Sequence, residues 1–445
     1  MAPLGRISWM GQVDAVLASV SDMLYSWGLM WLLIGAGIFF TVRTRGVQVR
    51  HTDAIAASVI GSRDGSHGGI TSFQAFAVGL ACRVGTGNIV GVALALILGG
   101  PGAVLWMWLV AILGTATAFS EATLAQLFKV RRPDGTFRGG PAYYISRGLG
   151  LPILGGVFAV VFLIANGLVM PMVQANAITA SLQGAGGLSP SLGAVLVVAL
   201  TAPVLLGGLR AMARVAEYLA PFMALAYLVL VLAILLTHPV QALEAVRSII
   251  EGAFGLRQGL GGLAGGVTAA LLNGVRRGLF SNEAGLGTVP NAAGTATVAH
   301  PVRQGLIQSF GVFVDTILVC TATGLLILLT TKTYHPGDDS LVGAILTQQA
   351  VAEHLGAWTT WPMVVLIFVL VFSTVLGCYS YAQVNVNFLG GERRSEQIFG
   401  IVLTAAAFGG TVLTLPVVWA LSDIALGLLG VLNLVVIIRL APWVI

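Results

Sequence analysis

The segment from Ser72 to Leu98 is apolar and long enough to cross a bilayer, which takes about 20 helical residues, yet its centre reads Ala81-Cys82-Arg83-Val84-Gly85-Thr86-Gly87-Asn88. An arginine, two glycines, a threonine and an asparagine at mid-segment oppose an unbroken helix. Backbone can unwind at membrane depth only where protein or a polar cavity satisfies its freed N–H and C=O groups. A helix broken there presents a positive end to an anion and a carbonyl end to a cation. The stretch therefore reads as a solute site. The competing reading is that the glycines only let helices pack closely.

Composition places this segment in a polytopic membrane protein. Charged residues are 9% and hydrophobic residues 57% of the chain, and mean hydropathy is +0.94, whereas a soluble domain carries about 25% charged residues. The net charge of +5 comes from basic residues in short loops, so it reports orientation and not a nucleic-acid partner. Cys82, Cys320 and Cys378 lie scattered in apolar segments, with neither a disulfide framework nor metal spacing. Asp14 and Asp22 interrupt the N-terminal apolar residues, so no cleavable signal peptide is expected.

Hydropathy predicts an all-α fold of about eleven spans: 23–42, 71–98, 103–128, 152–183, 191–208, 215–237, 262–287, 303–331, 359–389, 397–415 and 419–440. Residues 241–251 read as an amphipathic helix outside the membrane. The seventh segment, with Arg276, Arg277 and Glu283 among its glycines, reads as a second interrupted helix. Spans two to six and seven to eleven are two runs of five, each opening on an interrupted segment. An odd number per run inverts the second, a pattern typical of secondary transporters with a site at the repeat interface. The expected divisions are 1–70 (an extra span and cytoplasmic connection), 71–237 (first repeat), 238–261 (extracellular connection) and 262–445 (second repeat).

The motifs resemble those of the alanine/glycine:cation symporter family. The stretch 84–93 is followed by Gly99-Gly100-Pro101-Gly102-Ala103 with Trp106 and Trp108. Then come Asp134-Gly135, Gly139-Gly140-Pro141 with Tyr143-Tyr144-Ile145, Val173-Gln174-Ala175-Asn176, and Arg277-Gly278 with Phe280-Ser281-Asn282-Glu283-Ala284-Gly285-Leu286-Gly287. His300 to Gly305 and Phe372-Ser373-Thr374 with Gly377 complete the set, in family order. The resemblance implies sodium- or proton-driven uptake of a small amino acid across the cell (plasma or inner) membrane. It also implies a leucine-transporter-type 5+5 inverted repeat with one extra N-terminal span, and no cofactor beyond the coupling ion. After Phe-Ser-Thr the family often has Gly-Trp-Ser-Tyr-Tyr-Gly-Glu, whereas this chain has Gly377-Cys378-Tyr379-Ser380-Tyr381-Ala382-Gln383. Cys378 in place of tryptophan changes a pocket wall and leaves room for a side chain larger than methyl.

On this reading the backbone of Gly85, Thr86, Gly87 and Asn88 binds the substrate carboxylate. Gln174 is either a pocket residue or half of an interhelical hydrogen bond. Ala81 and Val84 match positions that bind sodium in the leucine-transporter-type fold, and Ser373 and Thr374 fall on the family's cation motif. Oxygen-only ligands suit a hard cation, although such hydroxyls commonly bond back to their own helix. Arg83, Glu121, Glu283 and Asp315 are ionisable groups at or near membrane depth, expected to form an internal salt-bridge network or gate. Trp106 and Trp108 are expected as interface anchors. No His/Asp, Ser/His or Asp/Asp arrangement within the spans suggests an enzyme, and one asymmetric broken site suits a channel poorly.

Orientation follows from the loops. Seventeen of the 22 basic residues fall on one face of the eleven-span layout, four (Arg6, Arg247, Arg257 and Lys332) on the other, and Arg83 between. The positive-inside rule then puts the N-terminus outside and the C-terminus in the cytoplasm. A fluorescent protein fused after Ile445 should glow, and an alkaline phosphatase fused there should be inactive. The reverse pattern would remove the eleven-span layout.

Overall fold

The computed structural model describes residues 15–50, 70–187, 208–255, 263–335 and 343–445, together with residues 53, 55, 58, 189, 192, 193, 195, 196 and 199. The first helix, α1 (Ala15–Arg43), fills the expected extra span. The second span starts at a capping box: Gln74 N–H donates to Thr71 Oγ1 (3.1 Å) and Thr71 N–H donates to Gln74 Oε1 (3.0 Å), satisfying donors that a helix start leaves free. From there α2 (Ser72–Arg83) runs to the expected break, and α3 (Gly87–Gly99) resumes at an angle of 42°. Gly100, at φ +69°, ends α3 in a conformation that favours glycine.

After α4 (Ala103–Leu127) the basic loop is more ordered than its composition suggests. It forms a two-stranded antiparallel hairpin, β1 (Val130–Arg131) with β2 (Phe137–Arg138), and a short helix, α5 (Pro141–Gly148), with proline in its first turn. Then come α6 (Pro152–Gly186) and α7 (Gly208–Thr237). Most of the expected fifth span, 191–208, lies outside the described residues. The amphipathic helix is present as α8 (Pro239–Ala253), with Ala245 and Ile249 buried and Val240, Leu243 and Ile250 exposed.

The seventh segment resolves its own break. Helix α9 (Leu263–Asn282) stops where Glu283 takes φ +55°, and Gly285 and Gly287 are also left-handed, before α10 (Pro290–Ala293). The remaining helices are α11 (Pro301–Leu328), α12 (Ala344–Leu355), α13 (Ala357–Phe388), α14 (Arg393–Gly410) and α15 (Leu415–Arg439). Helix α12 was not expected from sequence, since its stretch between two spans carries Gln348, Gln349, Glu353 and His354 and reads as a loop. Among the described residues seven helices are long and apolar enough to cross a membrane, or eight if the bent pair α2/α3 is one span. Helices α9 and α14 stand at the expected seventh and tenth positions without meeting that standard.

Packing divides these helices into two groups. Helix α4 packs with α9 and α11, and α2 also packs with α11, while α6 packs with α13 and α14. Helix α2 also meets α13 and α7, so the first break lies where the groups touch. The extra helix α1 sits outside, against α4 and α15.

Candidate functional site

The break between α2 and α3 is held by one side chain. Asn88 Oδ1 accepts the Gly85 N–H at 2.8 Å, closing the turn on itself. Its Nδ2 lies 2.6 Å from Asp315 Oδ1, 3.1 Å from the Asp315 carbonyl, 3.1 Å from Ser281 Oγ and 3.2 Å from Cys320 Sγ. The carboxamide thus ties the break to α9 and α11. The Gly85 N–H is thereby engaged within the chain. Thr86 Oγ1, in contrast, is buried without a partner.

Gly85 and Gly87 are required by contact. A Cβ on Gly85 would stand 2.3 Å from Thr374 Oγ1, and one on Gly87 would stand 3.0 Å from Ser281 Cα and 3.1 Å from Phe280 Cδ1. Gly87 begins α3 in a wide, π-helical turn, Gly87–Gly91. Similar wide turns hold Asn166 (Ala165–Val169, inside α6) and Asp315 (Phe313–Cys320, inside α11). Such turns concentrate at functional sites.

Across the break stands α13. Thr374 Oγ1 lies 3.0 Å from the Ala81 carbonyl and 3.0 Å from the Leu370 carbonyl. Ser373 Oγ lies 2.9 Å from the Leu370 carbonyl and 3.5 Å from that of Ala81. The structure therefore gathers Ala81, Ser373, Thr374 and Gly85, and adds the Leu370 carbonyl, which sequence reading missed. The hydroxyls do bond back to their own helix, but the same oxygens also face α2. Val84 sits at the bend itself, its N–H bonded to the Leu80 carbonyl (2.7 Å) while ψ of 86° turns the chain out of the helix.

Gln174 on α6 is 1% exposed, and its Oε1 has no partner. Asn166, two turns earlier, has both amide atoms buried and unpartnered, as are the Tyr381 hydroxyl and Asn282 Nδ2. Buried polar atoms are ordinarily bonded, so this set is informative. Neither Asn166 nor Tyr381 was singled out from sequence; a lone asparagine in an uncharged apolar run was the available signal. Cys378 is fully buried, with its Sγ 4.0 Å from Cys82 Sγ on α2.

The four ionisable groups do not form the expected salt-bridge network. Arg83 donates through Nε to the Asn282 carbonyl (2.8 Å) and through Nη1 to the Gln308 carbonyl (2.9 Å). Glu121 accepts from the N–H groups of Gly285 and Gly287 (3.2 Å each) and from Asn433 Nδ2 (2.8 Å). Asp315 accepts from Ser281 Oγ (2.9 Å) and Thr316 Oγ1 (2.7 Å) besides Asn88. Glu283 Oε2 accepts from Thr288, and Glu283 Oε1 is unpartnered. Backbone and neutral donors carry these charges. The buried ion pair is elsewhere: Arg277 on α9 donates to Asp423 on α15, and its guanidinium lies 4.6 Å over the Trp419 ring. Phe280 packs on the same ring, centroids 4.4 Å apart. Trp108 donates its indole N–H to Thr321 Oγ1 on α11 (2.7 Å).

The model of the sodium:alanine symporter family matches residues 10–445. The chain is 36% identical over 430 residues to the sodium/alanine symporter AgcS of Methanococcus maripaludis, covering 95% of this chain and 94% of that one. It is 38% identical over 433 residues to the probable sodium/glutamine symporter GlnT of Bacillus subtilis, covering 97% and 89%. Among solved structures, that of MhsT in complex with L-phenylalanine matches with a TM-score of 0.55 at 13% identity, over 86% of this chain and all of the other. At that identity the likeness speaks for a shared leucine-transporter-type fold alone.

Glu121 is the strut of the second break. Glu121→Ala leaves two backbone N–H groups and an amide unpaired, at about 1–3 kcal/mol for each buried group. The thermal midpoint of the detergent-solubilised protein should fall in the order wild type, Glu121→Gln, Glu121→Ala. Equal midpoints for all three would show that the carboxylate does not hold the break.

Proposed function

The chain belongs to the sodium:alanine symporter family, and on that premise we propose that it carries a small neutral amino acid into the cell together with sodium, by alternating access. The observation that carries the reading is the meeting of the α2 break with α13, where the Ala81 carbonyl and the Ser373 and Thr374 hydroxyls converge. Carbonyl and hydroxyl oxygens form a site for a hard cation. Ala81, Val84, Leu370, Ser373 and Thr374 are the proposed sodium ligands. The amino acid's carboxylate lies against the start of α3, at the Thr86 and Gly87 backbone and the free Thr86 hydroxyl. Gln174, with its unpartnered amide oxygen, and Cys378 belong to the same pocket and its wall.

The relatives' names support an amino-acid substrate, alanine in one and glutamine in another. The proposed orientation has the N-terminus outside and the C-terminus in the cytoplasm of a cell-membrane protein. The repeats 71–237 and 262–445 move against each other around the two breaks. One cation entering down about 100 mV supplies about 2.3 kcal/mol, and a tenfold ion gradient adds about 1.4 kcal/mol. Together they support roughly 500-fold accumulation of a neutral solute.

Two predictions follow from this arrangement, one for each ligand. Gly87→Val drives a branched side chain into Ser281 and Phe280, so it should abolish binding of radiolabelled alanine to the purified protein; unaltered binding would place the site elsewhere. Ser373→Ala with Thr374→Val should raise the sodium concentration needed for half-maximal uptake in proteoliposomes. Full uptake without sodium, driven by a pH gradient alone, would replace sodium by a proton as the coupling ion.

A further inference from the structure

Two of the three cysteines, scattered in sequence, meet across the interface that transport must open. Cys82 on α2 and Cys378 on α13 are both buried, with sulfurs 4.0 Å apart. Their backbones are close as well, because Gly377 carries no side chain. A Cβ there would stand 2.6 Å from Cys82 Sγ, 3.3 Å from its Cβ and 3.4 Å from its backbone nitrogen. Cys82 Sγ also lies 3.8 Å from the Thr374 carbonyl, so the thiol pair sits one turn from the proposed cation ligands. Disulfides join sulfurs at about 2.05 Å, so bond formation requires the two sulfurs to close in from 4.0 Å. Cys320 has no such neighbour; its sulfur lies against Asn88 and Ser281.

We propose that Cys82 and Cys378 are a modification site, a thiol pair that a two-electron thiol oxidant closes into a disulfide, locking α2 onto α13 and arresting transport. The inference rests on the functional reading above in one respect. A cation held between the carbonyls of α2 and the hydroxyls of α13 leaves only when those helices part, and their parting also admits the oxidant to buried sulfur. The chemistry balances with a diazene such as diamide. One thiolate adds to the N=N bond and the second displaces the nitrogen from that sulfur. The S–S bond forms, and the two thiol protons and two electrons convert the diazene to a hydrazine. Dithiothreitol reverses the step by thiol–disulfide exchange. A tryptophan at position 378, which the family often has, carries no sulfur and could not form this pair.

The test treats wild-type protein in proteoliposomes with diamide and reads two quantities. The first is amino-acid uptake before oxidation, after it, and after dithiothreitol. The second is peptide mass mapping after alkylation of free thiols in denaturant. Uptake should be lost and then restored, and the peptide holding Cys82 should be found joined to that holding Cys378, with Cys320 alkylated. In Cys82→Ser and Cys378→Ser, whatever the basal rate, the ratio of oxidised to untreated uptake should stay near unity. Alkylation of both thiols after diamide, or a cross-linked protein that transports at its untreated rate, overturns the proposal. Absence of uptake before any oxidant would count against the transport reading instead, and the mapping would still decide whether the bond forms.

Discussion

The structure depends on how backbone freed by a broken helix is satisfied away from water. Each unpaired N–H or C=O in hydrocarbon costs several kcal/mol, so two interrupted helices persist only if other groups take over their bonds. At the first break Asn88 accepts the Gly85 N–H and ties the turn to Asp315 and Ser281. At the second, Glu121 accepts the N–H groups of Gly285 and Gly287. A side chain from α3 and one from α4 thus do what the regular helix ladder would have done. The breaks are built features, each with its own strut.

The same economy explains the charges. One guanidinium, Arg83, and three carboxylates, Glu121, Glu283 and Asp315, are buried near the breaks. Burying a charge without partners is costly, and here the partners are carbonyls for the arginine and N–H, hydroxyl or amide donors for the acids. The groups are thereby fixed to particular turns instead of to one another. A direct ion pair, Arg277 with Asp423, joins α9 to α15 beside the tilted rings of Phe280 and Trp419, in the last two turns before the second break.

Much of this was legible in the sequence. The first break could be placed within a few residues because Arg83, Gly85, Gly87 and Asn88 interrupt an otherwise apolar run, and composition contradicts helix there. The amphipathic α8 was legible from its periodicity. The second break could be anticipated but not located, since glycines spread from Gly265 to Gly287 give no unique point; the left-handed Glu283 decides it. Helix α12 escaped because polar residues between spans read as loop. The pairing of hydroxyls with Ala81, the role of Asn88 as a strap and the meeting of Cys82 with Cys378 are contacts across some 200 to 300 residues of sequence. No local pattern encodes them, and they emerge only from packing.

On the proposed function, the α2 break and α13 make one site in which an amino acid and a cation move together. Coupling of that kind is reciprocal, so an amino-acid gradient must be able to drive the ion. In proteoliposomes with equal sodium on both sides and the voltage clamped at zero by potassium and valinomycin, an inward alanine gradient should pull radioactive sodium inward above its equilibrium level. Alanine that equilibrates while sodium stays at its equilibrium level would contradict coupled movement through one site.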